Sequence, residues 1–539
     1  MQKITMELKL KKMKPTLSLT VIKFCVALFF FACSYRSELF AQDENNLISI
    51  KLSTLKPVGK VDERYQSFNV EMVEVVGGNF WIPYDKMDTT KPTTGNVILG
   101  ETKSLYRALP PIDLYEKRLR TLAAALGPTY MRVSGTWANS TYFQDNDEPK
   151  MTTAPAGYKN VLSRKEWKGV VDFSKAVDAK LVTSFAISDG VRDKDSIWTP
   201  VQAQALANYT KSIGGSFAAA ELFNEPTYAS YGGAPKGYNA TTFAKDLARF
   251  RSFVKSSLPD MFVLGPGSTG EGGILPSSRM AIIETEDLLS ANPKPMFDVF
   301  SYHYYGGASK RCAPSGVPGS ISPDDALSEQ WLNKTVKGYN YYKGLRDKYF
   351  PGKSIWLTET ADAACGGNPW AATFLDCFRY VEQLGKLAKE GVQVVMHNTL
   401  SASEYGLLDQ DTHAPRPNYW IALLWSRLMG TDVYDAGSSR SGVDMFVHSL
   451  KKKPGGRALL IVNTLNTASA VNVPSRAEQY TLTANELQTK KIQLNGEELA
   501  LTASDELPVI KGKAIKAGVI QIPPHSITFF IFSQIKKYK

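Results

Sequence analysis

Eight times along this chain a short apolar run is followed by a segment whose apolar residues recur at helical spacing. The runs fall at residues 67–76, 129–133, 181–187, 218–222, 261–264, 299–303, 355–358 and 392–397. A parallel strand covered by helices on both faces reads as such a continuous apolar run. The segments between them are 113–126, 166–179, 200–213, 241–258, 323–349 and 371–390, with a shorter helix expected near 280–289 and a last one at 419–429. In the first of these Leu114, Leu119, Leu122 and Leu126 recur at that spacing. Eight strand–helix units predict an α/β fold, a (β/α)8 TIM barrel with enlarged loops.

The barrel is expected over residues 65–430, and the texture changes after Gly430. Short runs at 445–450, 458–462, 490–494 and 528–532 are separated by turn residues, among them Gly455-Gly456 and Asn495-Gly496. Residues 431–539 therefore read as an all-β sandwich domain. The segment 43–64 is strand-like at 47–55 and is expected to join that β-module.

Residues 1–42 read as a targeting leader. Lys9, Lys11, Lys12 and Lys14 precede an apolar run at 24–32 that is too short to span a bilayer. Cleavage near 39–42 would release an exported protein, periplasmic or extracellular. Ala32-Cys33 offers a degenerate lipoprotein site that would tie the chain to a membrane through Cys33, although Phe30 suits such a site poorly; a retained anchor is the third option. The leader also inflates the charge. The whole chain carries 63 Lys and Arg against 52 Asp and Glu, a net of +11. Without the seven basic and two acidic residues of 1–42 the balance is 56 against 50, or +6. That surplus is not gathered into one run, so no nucleic-acid partner is expected.

Five histidines lie scattered, and no cysteine pair has zinc spacing, so neither a metal nor another cofactor is expected. Past the leader three cysteines remain, Cys312, Cys365 and Cys377. Cys312 and Cys365 follow the sixth and seventh strands, so their loops are neighbours and a disulfide can join them; Cys365 with Cys377 is the alternative.

Barrel chemistry gathers at the C-terminal ends of the strands. The fourth strand runs AAAELFNEP and delivers Asn224-Glu225-Pro226; the seventh runs SIWLTET and delivers Glu359. Two carboxyl groups facing each other suit a retaining glycosidase, with Glu225 as acid/base and Glu359 as nucleophile. Asn224 is placed to reach the sugar 2-hydroxyl. His303, Tyr304 and Tyr305 end the sixth strand, where they either orient Glu359 and contact sugar or fill the rim; His397 and Trp137 carry the same two readings. Trp420 and Trp425 read as core. Lys310, Arg311 and Arg416 read as solvated surface charge, with sulfate or uronate binding as the alternative.

Seven stretches in order carry a resemblance: YQSFNVEMVEV (65–75), YMRVSGTW (130–137), ELFNEP (221–226), SYHYYGG (301–307), IWLTETADAACGG (355–367), VVMHNTL (394–400) and EYGLLD with PRPNYWIALLWSRLMGT (404–431). The sequence resembles the heparanase-like β-glucuronidases of glycoside hydrolase family 79. The resemblance implies the acid/base role for Glu225, the nucleophile role for Glu359 and a partner role for Asn224. It also implies a carboxylate cradle at Gly366, Gly367 and Tyr405, and sugar contacts from Thr136 and Glu71. Ala364-Cys365 before the glycines departs from the animal heparanases and leaves the cradle's register open by one residue. The expectation is a cofactor-free hydrolase that removes β-linked glucuronic acid from polysaccharide or proteoglycan glycans, with exo action favoured. The rivals are a neutral-sugar glycosidase on the same fold, an endo-acting heparanase- or hyaluronidase-like hydrolase, and a glycan-binding barrel without catalysis.

Overall fold

The structure is a computed structural model that describes residues 47–87, 105–272, 282–315, 319, 321–437 and 440–534. The leader, with Cys33, lies outside the described residues. Eight parallel strands close into a barrel in consecutive order. They are β1 (Gln66–Glu71), β2 (Thr129–Ser134), β3 (Ala179–Ser184), β4 (Phe217–Glu221), β5 (Phe262–Ser268), β6 (Val299–Tyr305), β7 (Ile355–Ala361) and β8 (Val394–His397). Around them lie α1 (Lys117–Leu126), α2 (Arg164–Ala176), α3 (Val201–Ser212), α4 (Ala240–Ser257), α5 (Thr285–Ser290), α6 (Lys334–Tyr349), α7 (Phe374–Lys389) and α8 (Pro417–Leu428).

Local chemistry sets the helix starts. The Glu116 carboxylate accepts from the amides of Arg118 and Leu119 ahead of α1. Ser163 and Glu166 cap each other's backbone at α2, and Pro417, which has no amide to satisfy, opens α8.

Two assignments differ from the sequence reading. Residues 67–76 are a strand only to Glu71, after which Met72–Val76 form a helical turn. The expected helix at 323–349 is broken into Pro323–Asp325, Glu329–Leu332 and Lys334–Tyr349. Ser322 and Ser328 each accept an amide at a fresh start, which favours short caps over one long helix.

Inside the barrel, alternate residues point inward. Tyr130, Val182, Ala219, Leu264, Val299, Trp356, Val394 and Met396 form an apolar plug. Above the plug the inward residues turn polar, and that layer carries the site.

Beyond α8 the strand Met429–Tyr434 straddles residue 430 and pairs with Pro57–Lys60 and Val443–Leu450. The sheet continues through Arg457–Asn463, Ser526–Phe532 and Ala477–Thr483. Ile48–Ser49, Ser469–Val473 and Gly518–Ile522 make a second sheet. Val447, Leu459, Ile461, Phe530 and Phe532 meet Ile48, Val471 and Ile522 in the core between the two sheets. Their alternate neighbours Phe446, Leu460, Val462, Phe529 and Ile531 join the main core of the barrel. The large sheet is thus buried on both faces, which is why every residue of SITFFIF is buried, Ser526 and Thr528 included.

Candidate active site

A cavity of about 490 Å³ opens at the C-terminal end of the barrel. Glu225 and Glu359 both line it. Glu225 follows β4 in a left-handed backbone conformation (φ 53°), which Pro226 continues into a short 3-10 turn. A non-glycine residue in that region costs on the order of 1 kcal/mol or more unless its surroundings hold it. Asn139 does so: its side chain accepts from the Asn224 amide at 2.8 Å and donates to the Asn224 carbonyl at 2.9 Å. Asn139 is fully buried.

Glu359 lies within β7, opposite His303 of β6 in the strand register. Arg132 Nη1 donates to its Oε2 at 2.8 Å and the Tyr305 hydroxyl to its Oε1 at 2.6 Å. Asn398 donates to the same hydroxyl at 3.0 Å. The carboxylate therefore has both oxygens oriented before any substrate arrives.

The carboxyl oxygens of Glu225 and Glu359 and a ring nitrogen of His303 fall within 4.8 Å of one another. That spacing matches a retaining pair, about 5–5.5 Å, and is too short for the intervening water of an inverting one. Burial raises the Glu225 pKa and Glu359 raises it further, while the His303 hydrogen bond opposes them; the net direction is upward. A carboxyl group so placed keeps its proton into the range where a general acid works.

His303 sits beneath the pair, fully buried. Its Nδ1 donates to Glu225 Oε1 at 3.0 Å and lies 3.7 Å from Glu359 Oε2. Burial alone would depress its pKa, but Glu359, Glu221 and Glu225 outweigh burial and the nearby Arg132 and lift it to about 9. A protonated imidazole has no free Nδ1 lone pair, so the three side chains suit proton handling better than metal binding.

Arg132 ties this layer together. Its Nη2 donates to Glu221 Oε2 at 2.9 Å and to Asn224 Oδ1 at 2.7 Å. Glu221 also accepts from Ser301 and Thr358. Burial pushes the Glu221 pKa up, but Arg132 and His303 drive it well below the usual carboxylate range. With the Asn224 carbonyl oxygen engaged, its NH2 group remains for a substrate hydroxyl.

Among the other expected contacts, Glu71, Thr136, Tyr305 and Tyr405 line the cavity. Burial and then Glu359 raise the Glu71 pKa well above the carboxylate range. Gly135 (φ 90°) makes room for it, since a Cβ there would stand 1.6 Å from Glu71 Oε2. Gly366 and Gly367 stand just behind the residues that line the cavity. Gly366 packs under Trp81, and Gly367 packs against Asp362 and Tyr405. Ala364 and Cys365 reach the cavity instead. The Ala364 amide is taken by the Gly307 carbonyl, so the amides free to meet a ligand begin at Cys365. Cys365, Gly366 and Gly367 take three successive left-handed conformations (φ 64°, 78° and 83°), which coil the loop tightly at the cavity wall.

Cys312 and Cys365 form a disulfide across the mouth, and Cys377 is free and buried. Arg311 and Arg416 are not solvated. Arg311 stacks over Tyr84 at 4.1 Å and donates to the Ile82 carbonyl. Arg416 donates to the carbonyls of Ser403 and Glu404 and to Asp409. Arg416 is thus engaged by its own loop, Arg311 keeps Nε and Nη2 without a hydrogen-bond partner among the described residues, and Lys310 is exposed. His397 donates to the Tyr405 carbonyl at 2.6 Å, and burial, aided by Arg379, lowers its pKa to about 3, so it is a neutral support. Tyr304 faces the helical core, Trp137 lines the cavity, and Trp420 and Trp425 are core.

A closed (β/α)8 barrel with this acid pair at the ends of β4 and β7 is a glycoside hydrolase. Its resemblance is to the heparanase-like β-glucuronidases. No family profile matches the chain. It is 26% identical to heparanase of Bos taurus over 485 residues, covering 78% of this chain and 85% of that protein. It is 24% identical to the baicalin-β-D-glucuronidase of Scutellaria baicalensis, covering 90% and 92%. Among solved structures, a 4-O-α-L-rhamnosyl-β-D-glucuronidase from Fusarium oxysporum superposes with a TM-score of 0.60 at 11% identity, over 90% of this chain and all of that one.

Proposed function

We propose that the protein is a retaining β-glucuronidase of glycoside hydrolase family 79 that acts on the end of a glucuronate-bearing glycan. The observation that carries this reading is the Glu225–His303–Glu359 cluster on the cavity floor, with its oxygens within 4.8 Å. Glu359 attacks the anomeric carbon while Glu225 gives its proton to the leaving oxygen. A water then enters, Glu225 takes back a proton, and the glycosyl–Glu359 ester is cleaved. The Asn224 NH2 group binds the 2-hydroxyl. The Cys365 and Gly366 amides and the Tyr405 phenol hold the sugar carboxylate without a cation.

Exo action is supported by the hairpin Gly78–Trp81 with Tyr106–Leu109, which walls the cavity beside Cys365. Trp81 stacks on Tyr106 at 4.5 Å. Export is supported by the leader at 1–42 and by the Cys312–Cys365 bond, which suits an oxidising compartment. The test is hydrolysis of p-nitrophenyl β-D-glucuronide beside the matching glucoside. Release from the glucuronide alone, abolished in Glu359→Gln and Glu225→Gln, supports the reading. Release from the glucoside alone refutes the uronate specificity.

A further inference from the structure

Asp362 directly follows β7, three residues beyond Glu359, and is fully buried. Its Oδ2 accepts the Asn368 amide at 2.9 Å, so the carboxyl group spans the base of the loop that carries Ala364 and Cys365 to the cavity. Its Oδ1 has no hydrogen-bond partner among the described residues. A Cβ built on Gly367 would stand 3.1 Å from that oxygen and 3.1 Å from the Tyr405 ring. The carboxyl group thus presses on the underside of the loop beside Tyr405.

Among the described residues no cation hydrogen-bonds the Asp362 carboxyl group. From α7, Arg379 donates twice to Asp376, at 2.6 and 2.8 Å, and once to Gln383, and Asn418 adds a further bond to Asp376, so its guanidinium is engaged away from Asp362. From β8, His397 is neutral. From the loop after β8, burial keeps the Tyr405 phenol neutral. Burial and Asp376 together lift the Asp362 pKa to about 7, against the pull of Arg379.

We propose that Asp362 is a positioning residue whose neutral form the uronate-binding loop requires, and that its ionisation weakens capture of the anionic sugar by placing a like charge beneath the loop. This rests on the glucuronidase reading. Asp376 outweighs Arg379 at Asp362, so an ionised Asp362 adds net negative charge to a low-dielectric layer where charge–charge terms are strong.

The test measures KM and kcat for p-nitrophenyl β-D-glucuronide between about pH 5.5 and pH 8.5 in wild type, Asp362→Asn and Asp362→Ser. The wild-type KM is expected to rise on the order of tenfold across that range. Both variants, which hold no ionisable group at 362, keep the titrations of Glu74, Glu225 and His303, so the ratio of wild-type to variant KM carries the roughly tenfold rise. A ratio that stays constant across the range overturns the proposal. Calorimetric binding of D-glucuronate to wild type is the second measurement, because it needs no variant to fold. Uptake of roughly half a proton per sugar at about pH 7.5, the amount a tenfold affinity change requires, supports the proposal, and no uptake overturns it. A wild type that hydrolyses the glucuronide with a flat KM sinks the Asp362 proposal alone; one that neither binds glucuronate nor cleaves its glycoside sinks the glucuronidase reading with it.

Discussion

Replacing His303 by glutamine should remove a specific pH dependence from the protein's stability. The imidazole pKa rises from 6.5 to about 9 in the folded state. Because the folded-state value is the higher one, the stabilisation is complete below about pH 6.5 and is lost as pH climbs through about 9. A shift of that size corresponds to about 3 kcal/mol, falling by at most ~1.4 kcal/mol per pH unit within the window. His303 is fully buried, so solvent does not screen the interaction, but the charge is shared among Glu221, Glu225 and Glu359. About 3 kcal/mol is therefore the upper end. The assay is urea unfolding of wild type and His303→Gln at about pH 6, 7.5 and 9. Cys377, whose thiol is raised by burial, also makes stability fall with pH, but it is common to both proteins and cancels in the difference. The gap between the two proteins should shrink by roughly 2–3 kcal/mol from pH 6 to pH 9. Parallel curves would refute the reasoning and mean that the folded imidazole is already neutral.

Arg132→Met should cost about 3–5 kcal/mol of stability, because it leaves Glu221 and Glu359 buried without their cation. It should also lower kcat by on the order of 100-fold or more; thermal melting and initial rates check both. Asn139→Ala removes two buried hydrogen bonds from the Asn224 backbone. It is expected to lower stability by ~2–3 kcal/mol, and kcat more than KM, since it loosens the turn that aims Glu225. The Cys312→Ser, Cys365→Ser double variant opens a cross-link of sequence separation 53. Chain entropy puts its cost near ~4 kcal/mol, measured by denaturant unfolding, and KM for the glucuronide should rise because Cys365 belongs to the cradle loop.

The barrel and its acid pair are visible in the sequence because both follow from local pattern. Apolar runs mark the strands, and Asn224-Glu225-Pro226 and Glu359 stand at strand ends. Arg132 and Glu221 were missed, although a signal existed. Each is a charged residue inside an otherwise apolar strand, at the parity that points inward: Arg132 with Tyr130, Glu221 with Ala219. A charge at such a position has to be paired, and inward parity on neighbouring strands names candidate partners. Asn139 gave no such signal, because its bond to the Asn224 backbone spans 85 residues and depends on how two loops fold together. Arg311 and Arg416 were misread for a related reason. A charged loop residue looks solvated until the loop carbonyls it satisfies are seen. The coil of the loop after β7 depends on the backbone conformation at Cys365, a residue type that seldom takes positive φ, and so is not visible in the sequence.

Retention requires Glu359 to form a covalent bond to the sugar. Incubating the enzyme with a 2-deoxy-2-fluoro-β-glucuronyl fluoride and mapping the labelled peptide by mass spectrometry tests that in one step. The account predicts a single covalent adduct on the peptide containing Glu359, absent in Glu359→Gln. Turnover without any trapped adduct, or an adduct on Glu225, would contradict it.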